Sequence, residues 1–210
     1  MNYTDLKSLL RDRNLYTGEG GLDTYEYQSK VLLNLLQLIE MRKESKEINI
    51  LEIGFNAGAS SEFFLKNTAP ETKVVSFDLN EWPTVMPAKY FLDEKYPGRH
   101  TLIVGDSRKT IPAFRELCKL KRFDLIFVDG GHDYKIAKSD MENIQSFAHK
   151  DTIVVLDDVC REQTNIRHYS IGPTRVWNEF LEEGKILELG HHDIEDNSGR
   201  GFVWGKLREQ

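Results

Sequence analysis

A glycine turn or an acidic residue follows each of five apolar runs in this 210-residue chain, and both residue types serve small-ligand sites. Gly54 and Gly58 flank a turn after the first run, and Ser60 follows them. Glycine adopts backbone angles that other residues avoid, and serine caps helices whose free N–H groups then face a ligand. Segment 50–60 therefore predicts a strand, a turn and a helix that form a nucleotide site.

Single aspartates follow the second and third apolar runs. Asp78 lies 24 residues beyond Gly54, a distance that suits a pair of ribose hydroxyls. Asp106 follows the third run and could accept a hydrogen bond from the exocyclic amine of adenine. A purely structural interpretation stays open for both, because aspartate also caps helices and closes turns.

Three more carboxylates, Asp129, Asp157 and Asp158, follow the fourth and fifth runs. Hard oxygen ligands with no cysteine nearby favour Mg²⁺ or Ca²⁺ over Zn²⁺. Without a cation, three adjacent carboxylates repel one another and their pKa values rise. We therefore predict a metal site, with the alternative that Asp157 and Asp158 only cap the following segment.

One histidine lies close to this acidic group. His132 follows Asp129 by three residues, and an ordinary histidine pKa near 6.5 suits a general base. The alternative interpretation is a histidine in a surface loop.

The elements that must position these residues alternate along the chain. Apolar runs at 48–53, 73–77, 101–104, 123–128 and 152–156 are separated by helical patterns near 60–67, 84–95, 110–120 and 134–148. This alternation predicts parallel strands with helices on both faces.

The C-terminal part of the chain breaks this alternation. A helix is predicted over 174–183, followed by strands over 185–189 and 201–207. The polar loop 190–200, which includes His191 and His192, would join these strands into an antiparallel hairpin. The predicted fold is thus α/β, a Rossmann-like sheet of seven mostly parallel strands with a terminal antiparallel hairpin.

Residues 1–47 are predicted to form a helical extension or lid, and residues 48–210 the ligand-binding domain. A helical stripe runs from residue 25 to 41, and Tyr25 and Gln28 are expected to help close the pocket.

The composition limits the classes of partner that we expect this protein to bind. A net charge of −6 and a pI of about 5.6 disfavour nucleic acid, and no run approaches the roughly 18 apolar residues of a membrane span. Residues 1–13 lack the apolar core of a secretory signal, and Cys118 and Cys160 match no metal or redox spacing. We therefore expect a cytoplasmic protein with reduced thiols.

The ordered motifs resemble those of class I S-adenosylmethionine-dependent methyltransferases. Residues 51–58 resemble the first motif, 77–78 the second and 105–107 the third. Residues 123–134 are similar to the fourth-strand motif of catechol-type O-methyltransferases and of their small-molecule and sugar-modifying relatives.

This resemblance implies S-adenosyl-L-methionine as cofactor, with Glu52 and Gly54 at its methionine part, Asp78 at the ribose and Asp106 at the adenine. The implied cofactor-binding set is Glu52, Gly54, Phe55, Asn56, Gly58, Ser60, Asp78, Leu79, Gly105, Asp106, Ser107 and Asp129.

The chain departs from the catechol-type pattern at several positions. Asp129, Asp157 and Asp158 stand where catechol enzymes have Asp, Asp and Asn, and His132 stands at their lysine base. Gly130 and its neighbour Gly131 replace aromatic residues, which favours a sugar-type acceptor over a catechol.

Together these observations predict metal-assisted O-methylation of a small molecule, a sugar or a natural product. The cation lowers the pKa of the acceptor hydroxyl and His132 removes its proton. Three alternatives remain: an NAD-dependent oxidoreductase, whose G-x-G-x-x-G pattern is not matched here; a methyltransferase acting on protein or nucleic acid; and a relative without catalysis. A homodimer is expected by analogy alone.

Overall fold

A computed structural model describes residues 5–15, 26–162, 166–194 and 199–208. Its helices are α1 (Leu6–Asp12), α2 (Glu26–Arg42), α3 (Ala59–Lys66), α4 (Val85–Lys95), α5 (Ser107–Leu117), α6 (Tyr134–Ile144) and α7 (His168–Glu182), with a short 3₁₀ helix at Gln145–Phe147. Its strands are β1 (Asn49–Ile53), β2 (Lys73–Asp78), β3 (His100–Val104), β4 (Leu125–Val128), β5 (Ile153–Asp157), β6 (Ile186–Asp193) and β7 (Gly201–Leu207).

The seven strands form one sheet in the order β3-β2-β1-β4-β5-β7-β6. Strands β1 to β5 are parallel, whereas β7 runs antiparallel to both β5 and β6. The predicted Rossmann-like sheet with a terminal hairpin is thereby confirmed. The strand order reverses between β1 and β4, and the carboxyl ends at such a reversal open into a ligand crevice.

Helices cover both faces of the sheet, and successive residues of β1 face opposite sides. Ile50 packs with Leu36 of α2 and Phe64 of α3 in one core, whereas Leu51 packs with Met141 of α6 in the other. The apolar residues of α1 belong to the first core, so the N-terminal helices share their buried surface with the sheet. Among the described helices, none combines the length and apolar character needed to cross a membrane.

Helix α7 begins at His168, six residues before the predicted start at Thr174. Gly172 and Pro173 lie within this first part of the helix, although proline lacks an N–H and glycine weakens helices. Tertiary packing overrides this local preference. A Cβ on residue 172 would lie 2.7 Å from the backbone nitrogen of Tyr134, so only glycine lets α7 approach the loop after β4 this closely.

The prediction that His191 and His192 lie in the hairpin loop is wrong. Strand β6 continues to Asp193, and the two histidines pair with Val203 and Phe202 of β7. An irregularity between Glu188 and Gly190 shifts the pairing by one residue, which conceals the strand alternation in the sequence.

Candidate active site

A cavity of about 450 Å³ opens at the carboxyl ends of the central strands. It is lined by every residue of the predicted cofactor set except Glu52 and Gly58, and also by His132 and Asp158. Further lining residues are Ile53, Ala57, Ala59, Phe77, Glu81, Trp82, Arg108, Gly130, Gly131, Ile136 and Arg200.

The glycine turn brings the end of β1 against the end of β4. Gly54 has a φ of +90°, and a Cβ there would lie 2.7 Å from the carbonyl carbon of Asp129 and closer still to its oxygen. The Asp129 N–H donates to the Ile53 carbonyl at 2.8 Å. Gly58 also has a positive φ, and its bare Cα packs against the Phe55 ring, outside the cavity lining.

Asp78 holds the glycine turn and also faces the cavity. Its Oδ2 accepts hydrogen bonds from the N–H groups of Phe55 and Asn56, each at 2.9 Å, and its Oδ1 accepts from Asn80 N–H at 2.6 Å. The Asp78 carboxylate therefore has a structural role, because it holds the glycine turn closed. The sequence predicts that the same carboxylate binds the ribose.

Glu52 lies behind the cavity wall and is fully buried. Hydroxyl groups of Ser61 and Ser76 donate to its Oε2 at 2.6 Å each, and Ser60, which does line the cavity, donates to Oε1. Burial raises the pKa of Glu52, and the three hydroxyls oppose this rise. Glu52 thus orients Ser60 from behind the wall, and its contact with the cofactor stays a prediction.

Asp106 is the N-cap of α5, as its structural interpretation requires, and it also lines the cavity. Its Oδ1 accepts from the Arg108 backbone N–H at 3.0 Å and from Arg108 Nε at 2.9 Å, and its Oδ2 accepts from Arg108 Nη2 at 2.8 Å. These bonds lower the pKa of Asp106.

Asp129, His132 and Asp158 converge at the other end of the cavity. Their potential ligand atoms all lie within 4.8 Å of one another, and His132 Nε2 is 2.9 Å from Asp158 Oδ2. Asp158 is buried and has a φ of +55°. Left-handed backbone at a non-glycine residue is uncommon, and such outliers concentrate at functional sites.

Asp157 is adjacent to this cluster but is not among the residues that line the cavity. Its Oδ1 accepts from Gln28 Nε2 of α2 and from the Asp158 N–H, each at 3.0 Å. Burial and the charge of Asp158 raise the pKa of Asp157 to about 7. Gln28 thus reaches the site, as the sequence suggested, whereas Tyr25 lies outside the described residues.

The surroundings of Asp129 at this edge of the sheet disfavour its charged form. Burial raises its pKa well above the usual aspartate value, and the charges of Asp157 and Asp158 raise it further. Arg200 partly offsets them, with Nε 3.6 Å from Asp158 Oδ1.

Sequence reasoning missed Arg200 and Arg108. A signal for Arg200 was available, because it immediately precedes β7, and the start of an antiparallel strand must lie beside the carboxyl end of its neighbour β5. Arg108 carries no such signal, since its position depends on the turn that Asp106 closes.

The model of one protein family, described as a methyltransferase domain, matches residues 51–159, just over half of the chain. No curated protein matches.

Solved structures resemble the fold over nearly the whole chain. An O-methyltransferase from Bacillus cereus in complex with SAH has a TM-score of 0.76 at 20% identity, covering 99% of this chain and 92% of its own. TomG, an O-methyltransferase from Streptomyces achromogenes involved in tomaymycin synthesis, was solved with SAM and has a TM-score of 0.70 at 17% identity, covering 97% and 88%. CalS11, a TDP-rhamnose 3′-O-methyltransferase of calicheamicin biosynthesis, has a TM-score of 0.62 at 20% identity, covering 94% and 90%.

At these identities the solved structures establish the fold, and the family match establishes the type of enzyme. The oxidoreductase alternative is thereby set aside, and the resemblance that the motifs carried is confirmed. The chain belongs to the methyltransferase family.

Proposed function

We propose that this methyltransferase uses S-adenosyl-L-methionine and, assisted by a divalent cation, methylates a hydroxyl of a small molecule, a sugar or a natural product. One observation carries the proposal: the glycine-turn cavity and the Asp129–His132–Asp158 cluster are parts of one cavity. A methyl donor and an acceptor bound there would have their reacting atoms side by side.

The cofactor end of this cavity is built from the turn after β1 and the ends of β2 and β3. Residues of the glycine turn, Ser60 and Asp78 line this end. They offer the donors and acceptors that an amino acid and a ribose need. Similar solved structures hold SAH or SAM, which supports this assignment.

The acidic end fits a divalent cation by the chemistry of its donors. Asp129, Asp157 and Asp158 offer hard oxygen ligands, and Mg²⁺ prefers these. Burial raises the pKa values of Asp129 and Asp157, and the charges of the neighbouring carboxylates raise them further than Arg200 lowers them. When bound, the cation would lower the pKa of the acceptor hydroxyl.

His132 is the proposed base. In the tautomer whose Nε2–H donates to Asp158, the lone pair of Nδ1 is free to take the proton of the acceptor hydroxyl. The hydroxyl oxygen then attacks the methyl carbon, the carbon–sulfur bond breaks, and S-adenosylhomocysteine and a methyl ether result. Asp158 stabilises the imidazolium that forms.

Mg²⁺ titration of the SAH-saturated protein by calorimetry tests the metal. We expect a saturable heat in the wild type and none after Asp157→Ala. Asp151→Ala is the matched control, because Asp151 precedes the same strand and pairs with Lys206 at its opposite end. Equal heats in all three proteins would refute the assigned metal site.

Transfer of a labelled methyl group to a panel of sugar nucleotides, phenols and other hydroxylated acceptors tests the chemistry. We expect transfer to oxygen that EDTA abolishes and Mg²⁺ restores. Transfer that EDTA leaves unchanged, or transfer only to nitrogen, would contradict the proposal.

A further inference from the structure

A buried carboxylate with no assigned role lies behind the cofactor end of the cavity. Asp140 on α6 is 1% exposed, and neither of its oxygens has a well-aligned hydrogen-bond partner among the residues that the structure describes. Burying an unpaired carboxylate is costly, so such a group requires an explanation.

The surroundings of Asp140 connect it to the cavity. Its Oδ2 lies 3.1 Å from the position that a Cβ would take on Gly130, and the Ser107 hydroxyl is close enough to lower its pKa. Gly130 and Ser107 both line the cavity, as does Ile136, one turn before Asp140 on α6. Asp140 therefore lies directly behind the wall formed by the ends of β3 and β4.

The surroundings of Asp140 disfavour its charged form. Burial raises its pKa to about 6, and the nearby Asp106 charge adds to the rise, while Ser107 and Arg108 oppose it. A bond from the Ser107 hydroxyl would relieve part of this cost.

Asp106, which is expected to bind the adenine, already accepts three hydrogen bonds from Arg108. Both carboxylate oxygens of Asp106 accept from Arg108, and Oδ1 accepts two of these bonds. An exocyclic amine that enters this end of the cavity therefore finds only one acceptor position left on Asp106, at Oδ2, and Ser107 is the neighbouring residue that lines the cavity.

We propose that Asp140 is a positioning residue that makes this end of the cavity selective for a 6-amino purine. A serine hydroxyl has one proton and two lone pairs. When Asp140 accepts a hydrogen bond from Ser107, Ser107 Oγ offers only lone pairs to the purine. It can then accept a hydrogen bond from a 6-amino group, but it has no proton to donate to a 6-oxo group. The inference rests on the proposed S-adenosyl cofactor and specifies how its base is recognised.

Paired calorimetric titrations test this inference. S-Adenosylhomocysteine is compared with S-inosylhomocysteine, which carries a 6-oxo group in place of the amine. We expect the wild type to prefer the adenosyl ligand by at least about tenfold, because a site built for a hydrogen bond discriminates strongly. Asp140→Leu and Ser107→Ala should each reduce that ratio to within about threefold of unity.

Asp140→Asn should retain most of the preference, because its amide oxygen can still accept from Ser107. Asp124→Asn is the matched control: Asp124 is also a buried aspartate, but it pairs with Lys43 at the opposite end of β4. That control should leave the ratio unchanged. If Asp140→Leu fails to fold, Ser107→Ala and Asp140→Asn still decide the question.

Two different failures can be told apart. A wild type that binds neither ligand would overturn the proposed cofactor together with this inference. A wild type that prefers the adenosyl ligand, with the same ratio kept by Ser107→Ala and Asp140→Leu, would overturn the role of Asp140 alone.

Discussion

The carboxylates that end β2 and β5 have opposite environments, although both terminate buried parallel strands. Asp78 accepts three backbone N–H groups, two of them from the glycine turn. Asp157 accepts from one side chain and from the N–H of its own neighbour, and burial together with the adjacent Asp158 raises its pKa to about 7.

This contrast extends to the strands beside them. At the end of β1 and in β2, hydroxyls surround the buried Glu52. At the end of β4, the charges of Asp157 and Asp158 act together on Asp129. The protein thus supplies donors for the acids on one half of the sheet and leaves the other half short of positive charge, which is the condition under which a cation binds.

The largest expected effect separates the two halves by function. Asp157→Ala should lower kcat by about 10³-fold, since the cation and its effect on the acceptor hydroxyl are lost, while Kd for SAH changes less than about threefold. Asp78→Ala should instead raise that Kd at least about tenfold, because it removes the anchor of the glycine turn. Steady-state kinetics and calorimetry check both variants. If Asp157→Ala weakens SAH as much as Asp78→Ala does, the division into halves is wrong.

The contact between the ends of β1 and β4, where the two halves of the sheet meet, gives the second prediction, which concerns the free energy of unfolding. Gly54→Ala should reduce the free energy of unfolding by at least about 3 kcal/mol, because its Cβ would overlap the Asp129 carbonyl. Gly98→Ala is the control: Gly98 also has a positive φ, +68°, but nothing lies within 4 Å of its Cβ position, so about 1 kcal/mol is expected. Equal losses in urea denaturation would show that backbone angle alone decides, and that the two strand ends are not tightly joined.

The smallest effect is on how folding stability depends on pH, and it arises in the half of the sheet where hydroxyls surround Glu52. His100, whose Nε2 lies 2.9 Å from Ser76 Oγ, is buried, and burial lowers its pKa to about 3. Because the unfolded chain protonates this histidine near pH 6.5 and the folded protein does not, stability is lost as the pH falls below 6.5, by about 1.4 kcal/mol at pH 5.5.

Urea denaturation at pH 7.5 and 5.5 measures this loss of folding stability. His100→Gln removes the titrating group, so its stability should fall less between the two pH values than that of the wild type. An identical fall in both proteins would mean that His100 is protonated in the folded state.

Local sequence signals sufficed for the fold wherever burial and periodicity agreed. The runs at 48–53 and 73–77 match β1 and β2 within one residue at each end, because buried parallel strands are uniformly apolar. They failed where tertiary contact outweighs local preference. Pro173 lies inside α7, and the polar pair His191–His192 lies in β6, where it pairs with β7 and His192 stacks on Tyr27 of α2 at 3.8 Å.

The candidate site was foreseen to the extent that it follows from strand ends. Parallel strands must bring Gly54, Asp78 and Asp129 to one edge, and they do. The sequence could not show that Asp106 is occupied by Arg108, or that Asp140 is buried behind Ser107, since these depend on how α5 and α6 pack.

We propose that this cavity binds an S-adenosyl cofactor for methyl transfer. Calorimetric titration with S-adenosylhomocysteine, with NAD as comparator and Mg²⁺ present throughout, tests it most directly. We predict micromolar binding of S-adenosylhomocysteine and no binding of NAD. Absence of S-adenosylhomocysteine binding, or a preference for NAD, would contradict the account.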